Sequence, residues 1–366
     1  MKNILLVSHG AALGGSPISA LNVARFINKD EFKVFYAFGE NGKILDIAAS
    51  ENIPTFVAKK RGFLGIPLIL DYIKIIKENN IDIVHLNTLT SYYKYPAVAA
   101  KILKKPVVWF VRENPQEKRC TRLAKFINKF SDKIVTVSYD TAQNMPYADK
   151  NKLMTIHNGI DLLSYNDDIL NAHEKLNLSS KFKYISTIAS IEKRKGILEL
   201  VDAFAILKKD SKFADFKLLI VGADRTQSKI YLNAVINRVK ELNLTGEVII
   251  YGESKMIKEI MKISEIFTLC SHWEGLSRVL LEAMACKKAI VCTDGGGNKE
   301  QVIDGQNGYV VDVGNVEDLA LKLKLALSDG QKLAIFGENS RKFAEEKFDI
   351  KVTTKKIEAV YNQISR

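Results

Sequence analysis

The segment from Ser271 to Cys286 contains two glutamates whose spacing suits ligand binding. It reads Ser-His-Trp-Glu-Gly-Leu-Ser-Arg-Val-Leu-Leu-Glu-Ala-Met-Ala-Cys, which places Glu274 in a glycine-containing loop and Glu282 in the helix that the apolar residues predict. Because a carboxylate accepts hydrogen bonds, the two glutamates could bind different hydroxyl groups of one long ligand. On spacing alone, they could equally be a loop glutamate and a helix glutamate that face solvent.

The turn between these glutamates has the features of an anion site. Ser277 can cap the predicted helix, and the positive end of a helix attracts anions. We therefore expect the backbone amides of Leu276, Ser277 and Arg278, which follow Gly275, to be free and to point towards a negatively charged group.

A glycine pair follows the first apolar run of the chain. Gly14 and Gly15 come directly before Ser16, Pro17 and a helix-like segment. Glycine lets backbone amides approach a phosphate at a helix N-terminus, although a flexible turn is the alternative interpretation. The glycine spacing differs from the Gly-x-Gly-x-x-Gly motif, which disfavours NAD or FAD as a ligand.

Short apolar runs alternate with helix-length segments, which predicts βαβ units and parallel sheets. The first set of predicted strands is Asn3–Val7, Lys33–Phe38, Ile53–Val57, Ile81–Leu86, Val107–Val111 and Lys133–Val137. After a polar stretch near residues 162–180, the second set is Tyr184–Ile188, Lys217–Val221, Glu247–Tyr251, Ile266–Leu269 and Ala289–Cys292. The 366 residues therefore predict two doubly wound domains and a helix beyond the last strand.

Composition and charge narrow the class of protein. The net charge of +12 favours a partner with negative charge. The four cysteines form no Cys-x-x-Cys pair, so neither a disulfide framework nor a zinc site is expected, and a reducing cytoplasm fits best. The first apolar run, Ile4–Val7, is too short for a signal peptide, and no segment approaches the roughly 18 apolar residues that a membrane span needs.

The Glu-x7-Glu pair and its surroundings resemble the retaining GT-B glycosyltransferases of family 4. The segments that extend the resemblance are Gly14–Gly15, Thr155–Asp161, Ala289–Glu300 and Val302–Val311. The resemblance implies an α/β fold of two Rossmann-like, doubly wound domains that face a cleft. Residues 1–165 would form the acceptor side, residues 166–345 would bind the nucleotide sugar, and residues 346–366 would form a helix returning to the first domain.

The resemblance also implies roles for individual residues. Glu282 would bind the ribose hydroxyls of the nucleotide, and Glu274 would bind the transferred sugar. The backbone at Gly275, Leu276 and Ser277 would line the donor, as would Gly14 and Gly15. The implied reaction is retaining transfer of a sugar from a nucleotide diphosphate sugar to a glycan or lipid-linked acceptor, in polysaccharide or glycoconjugate biosynthesis and without a cofactor.

Two positions depart from the family pattern. The family has an arginine and a Lys-Gly pair that grip the diphosphate; Lys195 matches, but Ser190 stands where the arginine is usual. Arg194 or Lys193 could compensate, or both could belong to a solvated run of charge. Arg112 stands where many relatives have a histidine near the sugar, and arginine cannot act as an acid or base near neutral pH.

We expect no metal site from the sequence. No Asp-x-Asp triplet occurs, so Lys195, backbone amides and helix dipoles would have to meet the charge of the leaving diphosphate. His85 and His157 are predicted to be structural.

Three other functions stay open at this point. A sugar-nucleotide epimerase or a phosphorylase would share this architecture, and a homologue that binds nucleotide without turnover would explain Ser190 and Arg112. A nucleic-acid binder is disfavoured, because the sequence lacks the usual motifs and its basic residues are spread through both halves.

Residues 101–133 carry ten basic and three acidic side chains. Within them is an apolar stripe at helical spacing with basic residues between its members, formed by Leu123, Phe126, Ile127 and Phe130 with Arg122, Lys125 and Lys129. Such a helix could lie on an anionic membrane, or its stripe could simply pack on the sheet. We therefore expect a cytoplasmic protein with a peripheral membrane contact as an added hypothesis.

Overall fold

The computed structural model describes residues 1–12, 14–59, 65–113 and 119–365, without the side chains of residues 119–122. The chain divides into two compact units: unit 1 is Met1–Asp161 with Phe348–Arg366, and unit 2 is Leu162–Lys347. The predicted divisions after residues 165 and 345 lie close to these boundaries. The C-terminal helix belongs to unit 1.

Unit 1 is a parallel seven-stranded sheet with helices on both faces. Its strands are β1 Lys2–Ser8, β2 Phe32–Phe38, β3 Thr55–Val57, β4 Ile83–Leu86, β5 Val107–Val111, β6 Lys133–Thr136 and β7 Leu153–Thr155, in the order β3-β2-β1-β4-β5-β6-β7. Its helices are α1 Gly15–Phe26, α2 Lys43–Ser50, α3 Ile66–Glu78, α4 Lys94–Ile102, α5 Arg119–Phe130, α6 Tyr139–Gln143 and, at the C-terminus, α14 Ile350–Ile364.

Unit 2 is a parallel six-stranded sheet. Its strands are β8 Lys183–Ile188, β9 Phe216–Val221, β10 Val248–Gly252, β11 Ser264–Leu269, β12 Ile290–Thr293 and β13 Gly308–Val311, in the order β10-β9-β8-β11-β12-β13. Its helices are α7 Ala172–Lys175, α8 Ile197–Leu207, α9 Ile230–Glu241, α10 Ile257–Ile263, α11 Arg278–Ala285, α12 Val316–Leu327 and α13 Gly330–Lys347. Two doubly wound parallel sheets confirm the predicted fold class.

Each sheet is buried on both faces, which is why the strands are continuous apolar runs. In β1, Ile4 and Leu6 join the core on one face of the sheet, and Leu5 and Val7 join the core on the other. The two strands that the sequence did not predict, β7 and β13, are the last strands of their sheets and are only three and four residues long.

The strand orders fix where polar loops can meet. The chain winds outward from β1 to β3 and then returns to β4 on the other side, and it does the same from β8 to β11. Ligands of such sheets bind outside the carboxyl ends of the strands at this reversal. The loops after β1, β4, β8 and β11 are therefore the places to look for a site.

Helix α14 packs its apolar side into the core of unit 1. Ile357 and Val360 are buried beside the residues of α1, and Tyr361 is buried against Phe32 with a ring separation of 5.7 Å. Among the described residues, no helix combines the length and the apolar character that crossing a membrane requires.

The packing of α14 predicts the stability of unit 1. Ile357→Ala should lower its free energy of unfolding by about 2–5 kcal/mol, because the substitution leaves a cavity in a fully buried position. The chain has two tryptophans, so urea denaturation of a Trp273→Phe background reports on unit 1 through the fluorescence of buried Trp109. The control is Lys355→Ala on the exposed side of α14. Equal stability of the two variants would contradict this docking.

Candidate functional site

The loop after β11 is held by the loop after β12, and this fixes the backbone of Glu274. The Glu274 amide donates to the Gly295 carbonyl at 3.1 Å, and the Gly297 amide donates to the Glu274 carbonyl at 3.1 Å. Gly296 has φ +69°, and a Cβ atom there would lie 2.2 Å from the Glu274 carbonyl oxygen. Only glycine therefore lets the two loops approach this closely.

Two cations converge on the Glu274 carboxylate. The Nζ atom of Lys195 forms an ion pair with Oε1 of Glu274, and the two side chains are only 13% and 14% exposed. Nη1 of Arg194 lies 3.5 Å from the same oxygen. We call these three side chains the Glu274 cluster. With Glu192, which pairs with Arg194 at 2.7 Å, its charges balance, and in this partly desolvated place electrostatic interactions are stronger than in water.

Arg194 is packed into this cluster. Its guanidinium lies 4.6 Å from the ring centroid of Trp273 and donates to the Trp273 carbonyl at 3.1 Å. Its Nη2 donates to Glu192 at 2.7 Å, and the Ser190 hydroxyl donates to the same Glu192 oxygen at 2.8 Å. The structure therefore brings Arg194 to the site, whereas Ser190 reaches it only through Glu192.

Gly196 explains how a loop after β8 reaches a loop after β11. Its φ is +60°, and a Cβ atom would lie 2.0 Å from the Cys270 carbonyl oxygen. The His272 amide also donates to the Arg194 carbonyl at 2.8 Å. The lysine of the Lys-Gly pair is thus positioned by the glycine that follows it.

The start of α11 differs in part from expectation. Ser277 caps the helix as predicted, since its hydroxyl accepts from the Leu280 amide. The prediction that the Ser277 amide is free is wrong: it donates to Gln301 Oε1 at 2.8 Å, and Gln301 Nε2 donates back to the Ser277 carbonyl at 2.7 Å. Gln301, which the sequence did not single out, therefore locks the turn.

Glu282 lies one and a half turns into α11 and is nearly buried, with a side chain 12% exposed. It accepts from Arg278 Nε at 3.0 Å, and the hydroxyl of Tyr165 lies close enough to interact with it. Burial raises the pKa of Glu282, and the neighbouring Arg278 opposes this only in part. Burial likewise raises the pKa of Tyr165, which remains a neutral hydrogen-bond donor.

In unit 1, the glycine pair lies at the start of α1 as predicted. Gly14 is the N-cap residue and has no side chain to bond the first amides, and a Cβ atom on Gly15 would meet no atom within 4 Å. The Ser16 hydroxyl donates to the Asn87 carbonyl at 3.1 Å, and Asn87 Nδ2 donates to the Ser16 carbonyl at 2.9 Å. Asn87 therefore joins the start of α1 to the end of β4.

The same asparagine holds Arg112 at the end of β5. Arg112 Nε donates to Asn87 Oδ1 at 2.7 Å and Nη1 donates to Asn158 Oδ1, while the buried Nη2 has no partner among the described residues. Burial lowers the pKa of Arg112 to about 10, so the side chain stays charged near neutral pH. Arg112 is partly buried, and in the described part of the chain its bonds go to neutral amides; such a cation is costly unless a ligand supplies the opposite charge.

The two histidines have the surroundings of structural residues. His85 is buried on Phe110, with ring centroids 4.2 Å apart, and its Nδ1 lies 2.5 Å from the Tyr361 hydroxyl. Burial lowers its pKa well below the usual value. His157 lies edge-on to Tyr139 and Phe348, at 5.5 and 5.4 Å.

The structure thus gathers the predicted residues into two groups. In unit 2, Arg194, Lys195 and Glu274 meet directly, and Gly275, Leu276, Ser277 and Glu282 follow in one loop and helix. In unit 1, Gly14, Gly15 and Arg112 lie at the carboxyl ends of the strands, where Asn87 connects them. Among the described residues, no three histidine, cysteine, aspartate or glutamate side chains are arranged to hold a metal ion.

Curated proteins match parts of this sequence. One is the N-acetylgalactosamine-N,N'-diacetylbacillosaminyl-diphospho-undecaprenol 4-alpha-N-acetylgalactosaminyltransferase of Campylobacter jejuni. It is 31% identical over 211 residues, which cover 57% of this chain and 53% of the relative. N-acetyl-alpha-D-glucosaminyl L-malate synthase of Bacillus anthracis is 28% identical over 67% of this chain and 63% of its own length. These two matches therefore span little more than half of each relative.

Solved structures match over the whole chain. Anabaena HepE in complex with UDP superposes with a TM-score of 0.89 at 21% identity, covering 99% of this chain and all of that one. A glycosyltransferase of Rickettsia africae superposes with a TM-score of 0.87 at 23% identity, covering 99% and 98%. At these identities the likeness establishes the fold.

Two family models account for nearly all of the sequence. Residues 13–163 match the model for Glycosyltransferase Family 4, and residues 168–343 match the model for Glycosyl transferases group 1. With the two doubly wound units described above, this chain belongs to the family 4, group 1 glycosyltransferases of GT-B fold.

Proposed function

We propose that this protein is a retaining, metal-independent glycosyltransferase that transfers a sugar from a nucleotide diphosphate sugar to a glycan or lipid-linked acceptor. The observation that carries the proposal is the Glu274 cluster. Lys195 and Arg194 both pair with Glu274, and Arg194 also pairs with the more exposed Glu192, so an anionic leaving group could take the place of these carboxylates. Preorganised cations of this kind stabilise charge that develops in a transition state.

The surroundings of Glu282 suit a nucleoside. A buried carboxylate needs hydrogen-bond donors, and Arg278 and Tyr165 leave acceptor capacity for the two hydroxyls of a ribose. Glu274, in the adjoining loop, would then accept from a hydroxyl of the transferred sugar. The similar structure of HepE contains UDP, which supports a nucleotide diphosphate sugar as the donor.

In the proposed reaction the bond from the anomeric carbon to the diphosphate breaks, and the acceptor oxygen bonds to that carbon from the same face. The acceptor's proton passes to an oxygen of the leaving diphosphate, so no protein nucleophile is required. Lys195 and Arg194 would stabilise the diphosphate, together with the positive end of α11. This chemistry places no demand on a metal ion.

Arg112 would bind a negatively charged or hydroxyl group of a substrate. The guanidinium is held rigidly by Asn87 and Asn158 and stacks on Phe110 at 5.0 Å. Its position beside the start of α1 combines two sources of positive potential, the helix end and a full charge. Gly14 and Gly15 leave the first amides of α1 accessible to the same group.

The alternatives give different products. An epimerase would convert the sugar nucleotide without an acceptor alcohol, and a phosphorylase would use inorganic phosphate. A homologue without turnover would bind the nucleotide and release nothing. The relative from Campylobacter jejuni, whose name includes a diphospho-undecaprenol, favours a lipid-linked glycan as the acceptor for transfer.

Nucleotide binding and turnover should separate between the two glutamates. Glu282→Ala should weaken UDP binding roughly 10- to 150-fold, the equivalent of about 1.5–3 kcal/mol for a lost charged hydrogen bond, whereas Glu274→Ala should mainly lower kcat. Calorimetry with UDP and a nucleotide-release assay measure the two effects, with the exposed Glu241→Ala as the control.

The choice of nucleotide is tested by thermal shift with UDP, GDP, ADP and CMP. A nucleotide at 100 times its Kd should add about 2.7 kcal/mol of stability to the wild-type protein. No shift with any of the four, or unchanged affinity in Glu282→Ala, would refute the proposed donor site.

Lys195→Ala should lower kcat by about 10²–10³, as expected for loss of a preorganised charge at a leaving group. Arg194→Gln should cause a comparable loss, because Arg194 contacts the same carboxylate, whereas Lys193→Ala should not. Full activity of Arg194→Gln would mean that Arg194 does not stabilise the leaving diphosphate and that Lys195 does so without it. Activity should also survive EDTA, and a loss that added Mg²⁺ or Mn²⁺ restores would contradict metal independence.

A peripheral membrane contact would be electrostatic. The apolar stripe of α5 is used by the core, where Ile127 is fully buried and Leu123, Phe126 and Phe130 pack around it. Lys125 and Lys129 remain exposed, and the Arg122 side chain lies outside the described residues. The hypothesis that survives is that the basic side of α5 rests on anionic lipid without inserting.

Lys125→Gln/Lys129→Gln should therefore weaken binding to phosphatidylglycerol vesicles roughly 30-fold, at about 1 kcal/mol for each lysine. Co-flotation at low salt measures it, with Lys240→Gln on α9 as the control. Wild-type protein should be released at about 0.5 M salt, since screening shortens the range of the attraction. Equal recovery with neutral phosphatidylcholine vesicles, or no recovery with either, would contradict the hypothesis.

A further inference from the structure

Unit 2 contains a cavity of about 540 Å³ beside the C-terminal end of helix α11. Its wall, which we call the basic cavity, is formed by residues 165–169, one side of α10, residues 285–288 and Arg341 of α13. The volume is in the range of small-molecule sites. Five basic side chains, Lys258, Lys262, Lys287, Lys288 and Arg341, face two acidic ones, Asp167 and Asp168.

Arg341 is the fixed part of the wall. Its side chain is only 12% exposed, and its donors bond Glu345 at 2.7 Å, Asn166 at 2.8 Å and the Ala285 carbonyl at 2.9 Å. The bond to Ala285 covers the negative end of α11, which would otherwise repel an anion. Arg341 thus supplies a positive field and shape, while its hydrogen bonds are already committed.

The lysines are the part that can exchange partners. Lys258 pairs with Asp167 at 3.0 Å and Lys262 with Asp168 at 2.9 Å, but both aspartates are 72% exposed. Exposed ion pairs of this kind contribute little, so an anion with more charge can replace the aspartates. Lys288 donates to the Ser264 carbonyl at 2.8 Å, and burial lowers its pKa, which an incoming anion would reverse.

The cavity is connected to Glu282 by one side chain. Tyr165 lines the cavity, and its hydroxyl lies close enough to Glu282 and Arg278 to interact with both. Tyr165 also belongs to the segment that begins unit 2, and Arg341 and Lys258 hold that segment through the Leu162 and Ser164 carbonyls at 3.4 and 2.9 Å. A ligand that rearranges the lysines therefore acts on the residue that orients Glu282.

We propose that the basic cavity is a second ligand site, which binds a small molecule carrying one or two phosphate groups and is coupled through Tyr165 to Glu282. Glu338 pairs with Lys287 and Glu345 pairs with Arg341, so the five basic side chains exceed the acidic ones by one, which favours an anion over a neutral sugar. The compact ammonium group of a lysine, on its flexible side chain, can turn its three donors towards the tetrahedral oxygens of a phosphate. The coupling rests on the proposed role of Glu282 in nucleotide binding; the site itself does not.

Calorimetry with pyrophosphate tests the site, using wild-type protein saturated with UDP so that the donor site is filled. Binding with one-to-one stoichiometry is expected at constant ionic strength. Lys258→Gln/Lys262→Gln should weaken it by up to about fivefold for each lysine. Asp167→Asn/Asp168→Asn should tighten it, because the competing carboxylates are removed, and Lys240→Gln outside the cavity should leave it unchanged.

Failure of this site and failure of the donor site are distinguishable. If UDP does not bind, the pyrophosphate titration is repeated without UDP in Lys195→Ala, which lacks the donor-site lysine. Absence of binding in both the wild type and Asp167→Asn/Asp168→Asn would overturn the second site, as would binding that is indifferent to the lysine changes.

The coupling has its own readout. Saturating pyrophosphate should change the Kd for UDP about fivefold or more, a typical coupling of about 1 kcal/mol or above, and UDP should change the Kd for pyrophosphate by the same factor. Tyr165→Phe should abolish the mutual effect while both ligands still bind. Equal coupling in the wild type and Tyr165→Phe, or none in the wild type, would overturn the Tyr165 connection.

Discussion

The close approach of Gly196 to the end of β11 is the constraint on which the unit 2 site depends. Because Gly196 has a positive φ and no Cβ atom, the loop after β8 can lie directly on the Cys270 carbonyl. This brings Lys195 and Arg194, from one side of the strand reversal, to Glu274, from the other. The backbone geometry at Gly196 therefore brings the charged side chains together, and their attraction then holds them in contact.

In unit 1, the partly buried Arg112 is bonded to two asparagines and has no carboxylate partner in the described part of the chain. In unit 2, by contrast, Arg194 and Lys195 pair with Glu192 and Glu274. A buried charge without a counterion costs several kcal/mol, so the free protein is less stable for holding Arg112 in this way. An anion bound beside Arg112 would offset that cost.

The sequence predicted the fold well because parallel strands are buried on both faces and appear as continuous apolar runs. It missed β7, Leu-Met-Thr, and β13, Gly-Tyr-Val-Val, the last strand of each sheet, because neither is a continuous run of apolar β-formers. It singled out Glu274 and Glu282 by their spacing within one segment and Lys195 by its Lys-Gly pair, and the structure adds that Lys195 meets Glu274. It could not find Tyr165 or Gln301 as partners, since contacts between residues distant in sequence leave no local pattern.

The exchange of the family arginine for Ser190 illustrates the same limit. From sequence, Arg194 could be a solvated residue in a basic run; in the structure its guanidinium stacks on Trp273 and lies 3.5 Å from Glu274. In this chain a positive charge four residues after Ser190 reaches Glu274, because Gly196 lets the loop lie against the end of β11. That contact depends on the path of the loop, which the order of residues in a basic run does not reveal.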